Sequence, residues 1–423
     1  MQTQKVRQGY KIVESLFGKY EEIPKDWNFV KLDNVATIQD GNWILEENYA
    51  TSGVRLLQVG DIGLGKFIDK SWKFISKETA KELRCKIIQQ EEDILISRMP
   101  DPIGRACLSP KLSYDYIVAV DVSIVKPKKE IIPSFLIHYL NSKSNLDKMQ
   151  KFVTGTTRQR ISRKNLEQTS IALPPKTEQQ KIASILSNVD SLINQTQKKI
   201  EQTQRLKKGL MQRLLTKGIG HTKFKKVKSY FGKYEEIPDD WDLTPLGNLC
   251  EIRKKNNVQS NLYIGLEHIG QGTNSLTGQG DVEQFTSTKN VFRKGDVLYG
   301  KLRPLLNKVW LSTEDGFCST DILPITTKER LDNRILEKIL SSDDFVDYAT
   351  SSSAGTKMPR TNWSDIQKYE IKLPPIPEQQ KIASILSNID SQIQKQQEYK
   401  SKLESLKKGL MQKLLTGQIR VKA

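Results

Sequence analysis

The amino-acid sequence is a tandem duplication, and this repeat constrains the fold more than any other feature. FGKYEEIPKDW begins at Phe17 and FGKYEEIPDDW at Phe231, an offset of 214 residues. LPPKTEQQKIASILSNVDS begins at Leu173 and LPPIPEQQKIASILSNIDS at Leu373, an offset of 200 residues. Because self-similarity at a fixed offset indicates a repeated structural unit, we expect two copies of one domain type.

A long helix is predicted at the end of each copy. No proline interrupts Glu178 to Thr216, and apolar residues recur there at helical spacing. A helix of that length spans about 58 Å, which is too long to bury its apolar stripe on one compact domain. We therefore expect each apolar stripe to pack against the equivalent stripe of the other copy. Because the second globe lies between the end of the first helix and the start of the second, the helices are predicted to run antiparallel in a coiled coil. The expected interface residues are Ile182, Leu186, Val189, Ile193, Ile200, Leu210 and Leu214 in the first helix, and Ile382, Leu386, Ile389, Ile393, Leu403, Leu410 and Leu414 in the second.

The wider stripe adds Ile185, Leu192, Leu206 and Ile385. Gly209 and Gly409 weaken a continuous helix, so the alternative is two core helices in separate bundles.

Between the repeats, short runs such as DILISR and DVLYG are broken by Gly, Pro and Asn, which is typical of strands.

The expected fold class is α+β, with two similar mixed α/β globes joined by two long antiparallel helices. The expected segments are the first globe with the N-terminal segment at 1–172, the first helix at 173–217, the second globe with its linker at 218–372, and the second helix with the C-terminal tail at 373–423.

Charge points to a polyanionic partner. The net charge is +18 and the isoelectric point is near 9.5, and surplus Lys and Arg attract nucleic acid through phosphate contacts and counterion release. A merely soluble, lysine-rich surface is the alternative. The four cysteines and three histidines do not cluster, so zinc sites and disulfides are poorly supported. The sequence contains no membrane-length apolar run and no export signal, which predicts a cytoplasmic protein.

Motifs for nucleic-acid chemistry are not found. GDIGLGKF has the skeleton of a phosphate loop, but Phe67 replaces the Ser or Thr that holds Mg²⁺. The sequence has no G-x-G-x-x-G turn between a strand and a helix, and no Asn/Asp-Pro-Pro-aromatic tetrapeptide. Asp101, Asp121 and Asp321 have no metal-binding spacing and are interpreted as turn residues. We expect a binding protein that needs no metal or cofactor, not an enzyme.

Candidate DNA contacts lie at matched positions of the two copies. Arginine suits guanine, asparagine and glutamine suit adenine, and lysine suits phosphate. For any single residue, the alternative is a solvated charge. The first matched pair of loops offers Arg98 and Arg105 against Lys301, Arg303 and Lys308, and the second offers Arg158, Gln159 and Arg160 against Lys357, Arg360 and Asn362.

EIP-x-x-W, D-[IV]-L with a basic loop, a Gly-Thr loop and LPP-x-x-EQQKIA before a long helix all occur twice in this order. The pattern resembles the specificity subunit of type I restriction-modification systems over essentially the whole chain. The resemblance implies two target recognition domains, each of which recognises one half of an asymmetric bipartite DNA site, with spacer helices that fix the gap. It also implies that two modification subunits, which methylate adenine, dock on the helices, and that motor-nuclease subunits join them. Methyl donor and ATP then belong to the partners.

Comparison of the two copies supports this division, because the two ends of the helices are nearly identical and the globes are not. The main alternative is a stand-alone or architectural DNA-binding protein. An enzyme with an unfamiliar motif and an adaptor whose charge is incidental are the others.

Overall fold

The structure is a computed structural model that describes residues 6–15, 19–153, 159–228, 234–254, 258–284, 288–355 and 357–421. The chain divides into two compact units, of which the first contains Met1–Gln197 with Tyr399–Ala423 and the second contains Lys198–Glu398. These boundaries lie inside both long helices, so each unit contains parts of both. No helix in the described part of the chain is long and apolar enough to cross a membrane.

The first unit is a mixed α/β globe with parts of both long helices. Its elements before the long helix are β1 (Tyr10–Glu14), β2 (Tyr20–Pro24), β3 (Asn28–Lys31), α1 (Leu32–Val35), β4 (Ala36–Asp40), β5 (Tyr49–Ala50), β6 (Val54–Leu57), β7 (Lys73–Ile75), α2 (Lys77–Glu82), β8 (Ile94–Ser97), β9 (Ala106–Leu108), β10 (Tyr116–Val118), β11 (Val122–Pro127), α3 (Pro133–Leu140), α4 (Lys143–Gln150), α5 (Arg163–Glu167) and β12 (Ser170–Leu173). The first long helix, α6, then covers Lys176–Lys217.

The second unit follows the same plan. Its elements are β13 (Phe224–Lys228), β14 (Tyr234–Pro238), β15 (Asp242–Pro245), α7 (Leu246–Leu249), β16 (Cys250–Ile252), β17 (Leu262–Ile264), β18 (Gly280–Asp281), β19 (Lys289–Phe292), β20 (Val297–Gly300), β21 (Val309–Leu311), β22 (Gly316–Ser319), β23 (Ile322–Thr327), α8 (Asn333–Leu340), α9 (Asp343–Ser351), α10 (Trp363–Ile366) and β24 (Glu370–Leu373). The second long helix, α11, covers Ile376–Leu414.

One four-stranded sheet is common to both globes. Its strand order is β4-β11-β8-β9 in the first unit and β16-β23-β20-β21 in the second, and all neighbours are antiparallel. The central strands are apolar on both faces because both faces are covered, as in β8, where every residue is buried. The runs DILISR and DVLYG, which predicted strands, contain β8 and β20.

The second sheet is where the globes differ. Both retain one parallel pair, β6 with β10 and β17 with β22. In the first unit, β7 and β5 extend the sheet beyond β6, giving the order β10-β6-β7-β5. In the second unit, β18 adds to β17 and β19 adds to β22, giving β18-β17-β22-β19. The repeat offset falls from 214 at the start of the globes to 200 at their ends, so the first globe is longer. Its extra residues accompany a different arrangement of strands at this sheet.

The two long helices run antiparallel within each unit. In the first unit Glu178 contacts Arg420, and Asp190, which is further along α6, contacts Lys407, which is earlier in the chain. Gly209 and Gly409 lie inside continuous helices. Two mixed α/β globes, an internal repeat and long antiparallel helices agree with the predicted fold class, which is confirmed.

Fewer residues of the long helices are buried than the full predicted stripe contains. All fourteen expected interface residues are buried or half-buried, but Leu192, Leu206 and Ile385 are exposed. Ile182 and Leu186 also join the apolar core that contains Trp27. The expectation that the stripe packs only against the other helix was too simple, because the start of each long helix also completes the core of a globe.

A buried glutamine joins each globe to its long helix. The Gln179 amide donates to the Glu130 carbonyl at 3.1 Å and its oxygen accepts from the Ile132 N–H at 2.9 Å. The repeat preserves both bonds, because Gln379 donates to the Arg330 carbonyl at 2.9 Å and accepts from the Asp332 N–H at 2.8 Å. Such matched, fully satisfied polar contacts fix the position of each globe on its helix.

A charged network also joins α8 to α11 in the second unit. The Lys338 side chain is 3% exposed, and its ammonium contacts the carboxylates of Glu337 at 2.8 Å and Asp390 at 2.7 Å. Lys207 reaches the other oxygen of Asp390 at 2.6 Å. Asp390 therefore balances two lysines, one of which is almost completely buried.

The first unit has histidine where the second has that buried lysine. His138 Nε2 lies 3.2 Å from the Ser187 hydroxyl, and its Nδ1 lies 3.9 Å from Asp190. Burial, reinforced by the nearby Lys407 charge, lowers the pKa of His138 to about 4, while Asp190 opposes the shift. His138 is therefore neutral near pH 7, and Lys407 contacts Asp190 at 2.6 Å.

Candidate nucleic-acid interface

The two basic loops predicted from the repeat meet in the first unit. The Arg98 N–H donates to the Asp121 carbonyl at 2.9 Å, and the Ile161 N–H donates to the Arg98 carbonyl at 3.0 Å. Arg160 Nη1 lies 3.6 Å from the Asp121 carboxylate. The loop after β8 and the segment before α5 therefore lie together around the turn at Asp121.

The second unit repeats this arrangement at equivalent residues. The Lys301 N–H donates to the Asp321 carbonyl at 2.9 Å, and the Thr361 N–H donates to the Lys301 carbonyl at 3.1 Å. Arg360 Nε donates to the Asp321 carboxylate at 3.3 Å. We call these regions the loop clusters, which comprise residues 98–105, 119–121 and 159–161 in the first unit and residues 301–308, 319–321 and 357–362 in the second.

Arg98 and Arg105 stabilise the first loop cluster from inside. Arg98 is 6% exposed and contacts the Asp40 carboxylate at 3.1 Å. Arg105 is 7% exposed, and four of its N–H groups donate to backbone carbonyls. The four acceptors are the carbonyls of Val59, Ile62, Met99 and Pro102. Most of their donors contact Asp40 or backbone carbonyls. The assignment of these two guanidinium groups to DNA therefore stays a prediction, and their burial does not favour it.

Lys308 is the counterpart of Arg105 in the repeat. Its ammonium donates to the Leu266 carbonyl at 2.5 Å, which lies in the short 3₁₀ turn after β17, as Val59 lies in the 3₁₀ turn after β6. The sequence offset thus matched two residues that both hold the loop to a neighbouring turn.

The remaining candidates are more accessible. Lys301 is half-buried, and Arg158 lies outside the described residues. Asn362 precedes α10 and makes no side-chain capping bond with it. Its counterpart Ser162 caps α5 instead, so the Asn362 amide remains available to a ligand. The exposed candidates are Gln159, Arg160, Arg303, Lys357, Arg360 and Asn362.

Sequence reasoning did not predict the acidic partners of these arginines. Asp121 and Asp321 do lie in turns, but each also forms an ion pair with an exposed arginine. Asp40, at the end of β4, contacts both Arg98 and Arg163. The sequence did contain one indication of these ion pairs, because Asp121 and Arg160 recur as Asp321 and Arg360 at the same offset of 200 residues.

One group of side chains in the described residues has donors close enough to hold a metal ion. It comprises His221, Asp240 and Glu378. The indole N–H of Trp241 already donates to Glu378 at 2.9 Å. The matched corner of the first unit contains an arginine between Glu178 and Asp26, so we interpret His221 as the hydrogen-bonding counterpart of that arginine and not as a metal ligand.

The family model for the type I restriction modification DNA specificity domain matches this chain twice, at residues 24–203 and 238–405. This chain belongs to that family. The two matches cover the two copies of the repeat, each with its globe and most of a long helix. In this family of specificity subunits, DNA recognition resides in the subunit and catalytic activities lie on other subunits. The absence of catalytic motifs from the sequence is consistent with that division.

Two relatives illustrate the similarity. The type I restriction enzyme MjaVIII specificity subunit of Methanocaldococcus jannaschii is 28% identical over 368 residues, covering 82% of this chain and 84% of the relative. The type I restriction enzyme EcoDI specificity subunit of Escherichia coli is 26% identical over 264 residues, covering 57% of this chain and 59% of the relative.

Solved structures share the fold of this specificity-family member. The type I restriction-modification S subunit from M. genitalium has a TM-score of 0.57 at 15% identity, covering 92% of this chain and 96% of that chain. A chain from a study of complex assembly and conformational transition of the type I system has a TM-score of 0.55 at 17% identity, covering 94% and 99% respectively. The stand-alone architectural alternative is not favoured.

Proposed function

We propose that each loop cluster binds one half of an asymmetric, bipartite DNA site. The observation that carries this proposal is the recurrence of one backbone frame with different exposed side chains. The first frame presents Gln159 and Arg160, and the second presents Lys357, Arg360 and Asn362. A common frame gives both globes the same approach to a groove, and different side chains at its edge favour different bases.

The ion pairs within the clusters suit reversible DNA contact. Arg160 and Arg360 are 50% and 49% exposed, and their aspartate contacts are 3.6 and 3.3 Å long. A pair in which both side chains reach solvent, such as Arg360 with Asp321, is weak in water, whereas the Asp121 side chain is only 6% exposed in its pair with Arg160. The aspartates orient both guanidinium groups, and the Arg360 group can turn to a guanine edge or a phosphate.

We further propose that the paired helices set the distance between the half-sites and dock two modification subunits. Support comes from exposed apolar residues that recur at equivalent positions of the repeat. Exposure to water does not explain why both copies have apolar side chains at these positions. Leu206 and Leu406 are 56% and 52% exposed, and Tyr20 and Tyr234 are 69% and 72% exposed. Apolar and aromatic residues exposed in this way favour protein interfaces. Their occurrence once per unit favours one partner bound twice.

Replacement of one globe tests the assignment of half-sites. Residues 28–172 would be replaced by the equivalent segment of a related specificity subunit, and the methylated motif would be determined by methylome sequencing of cells that also contain the modification subunit. We expect one half of the motif to change and the other half to remain. Alteration of both halves would refute the assignment of one globe to one half.

A further inference from the structure

Trp43 is a large, exposed side chain on a firmly held turn. Its side chain is 65% exposed, yet the two preceding residues are fixed by backbone bonds. The Gly41 N–H donates to the Val122 carbonyl at 3.0 Å, and the Asn42 N–H donates to the Val118 carbonyl at 2.7 Å. A Cβ atom on Gly41 would lie 2.1 Å from the carbonyl oxygen of Ala119, so only glycine fits this close approach.

The same turn borders the first loop cluster. Asp40, three residues before Trp43, contacts Arg98 at 3.1 Å and Arg163 at 3.6 Å. Asn42 accepts a hydrogen bond from the Lys86 N–H at 3.1 Å and forms a parallel bridge with Ala119. Ala119 begins the turn that ends at Asp121. The backbone that leads into Trp43 therefore lies beside Asp40, which contacts Arg163, and beside the turn of Asp121, which contacts Arg160.

An exposed aromatic ring on backbone that borders a cluster of cations has the chemistry of a nucleic-acid contact. The cations attract phosphate, and an aromatic ring can stack on a base or wedge against a base step because every base has a π-face. Holding the backbone in place before binding reduces the entropy lost when the ring is immobilised.

A contact with a repeated protein partner would explain Trp43 less well. The exposed apolar residues assigned above to protein docking, such as Leu206 and Leu406, recur in both copies. Trp43 does not, because the offset of 214 that relates the starts of the globes aligns it with Asn257. A ligand of Trp43 would therefore contact only the first globe. One half of an asymmetric DNA site is such a ligand, because the second globe binds a different half.

We infer that Trp43 contacts DNA in the half-site bound by the first globe, with its indole stacked on or wedged against a base. The inference rests on the proposed function of the loop clusters. It predicts an aromatic contribution to the affinity for the first half-site that has no counterpart at the equivalent position of the second globe.

The test compares Trp43→Phe with Trp43→Leu in the full-length chain assembled with its modification subunit. The probe is a duplex with the motif identified by methylome sequencing for the wild-type chain, carrying 2-aminopurine at each position in turn. Trp43→Leu should lower the affinity about tenfold or more, as expected for loss of one base–aromatic stack. It should also abolish the fluorescence change in the first half-site only. Trp43→Phe should retain both properties, and Leu192→Ala, an exposed position on α6, should match the wild type.

Unchanged affinity and fluorescence with Trp43→Leu would overturn the inference. Equal losses with leucine and phenylalanine, together with a lower thermal unfolding midpoint, would instead assign Trp43 to the fold and would also overturn it. The parent proposal is judged separately by the wild-type complex. If that complex does not distinguish the motif from a scrambled duplex, both proposals fail, whereas discrimination by the wild type with no effect of Trp43→Leu rejects only the role of tryptophan.

Discussion

Lys407 lies 2.6 Å from Asp190 in the first unit, joining the end of one long helix to the start of the other. The repeat forms the equivalent pair in the second unit with the same separation, between Lys207 and Asp390. The two pairs differ in their third partner, which is the neutral His138 in one case and the buried Lys338 in the other. This difference predicts unequal sensitivity to the same substitution.

We expect Asp390→Asn to destabilise the protein by about 3 kcal/mol or more, because it removes one of two carboxylates that balance a buried ammonium. Asp190→Asn should cost about 1 kcal/mol or less, since the pair that it breaks is partly exposed and His138 carries no charge. Denaturant unfolding of both full-length variants, with hydrogen exchange to assign the loss to a unit, measures the difference. Equal destabilisation would contradict the charge argument.

His138 should make the first unit sensitive to acid. Its pKa in the fold is about 4, whereas an unfolded histidine titrates near 6.5, so the unfolded state binds the proton first. The free energy of unfolding should therefore fall as the pH decreases from about 6.5 towards 4, by on the order of 3 kcal/mol for this group. The difference between wild type and His138→Asn, measured across that range, isolates the effect from the carboxylates. A pH-independent difference would refute it.

Arg160→Ala and Arg360→Ala should each weaken binding to one half-site. Loss of a base contact costs about 1–3 kcal/mol and relaxes discrimination at that base pair, while loss of a phosphate contact lowers the salt dependence of binding. Competition binding of the assembled complex with single-base variants of the motif separates these results. Each alanine variant serves as the control for the other half-site, and an effect of both variants on the same half would contradict the assignment.

Leu206→Glu and Leu406→Glu should each remove one modification subunit, because a charge within an apolar contact lacks a partner there. Native mass spectrometry of the reconstituted complex would show one bound copy for each single variant and none for the double variant. Leu192→Glu is the matched control, since it is also exposed on α6 but its repeat counterpart is Gln392. Two bound copies in the double variant would exclude this docking surface.

Insertion of seven residues into both long helices together should lengthen only the gap between the half-sites. Seven residues add about 10.5 Å and return the apolar stripe to nearly the same face. At about 3.4 Å per base pair, the gap should grow by about three base pairs. Methylome sequencing reports the new motif, with an unmodified chain as control, and an unchanged gap would disprove the spacer role.

The repeated helices and the strand-rich globes could be predicted from sequence because they depend on local periodicity. The second sheet could not be predicted, since the pairing of β19 with β22 in one globe and of β7 with β6 in the other depends on tertiary packing and not on spacing. The positions of the loop clusters followed from the repeat offsets. The burial of Arg105 did not, because a sequence does not reveal whether a guanidinium donates to carbonyls of its own chain or to a ligand.

The matched glutamines suggest how such a protein changes its target over generations. Gln179 and Gln379 each hold their globe through main-chain groups, and backbone carbonyls and N–H groups are the same whatever side chains a globe carries. A recombination event that replaces the gene segment for one globe would therefore deliver a foreign globe to a compatible attachment point. A lineage could acquire a new specificity in one step, without waiting for compensating mutations in the helices.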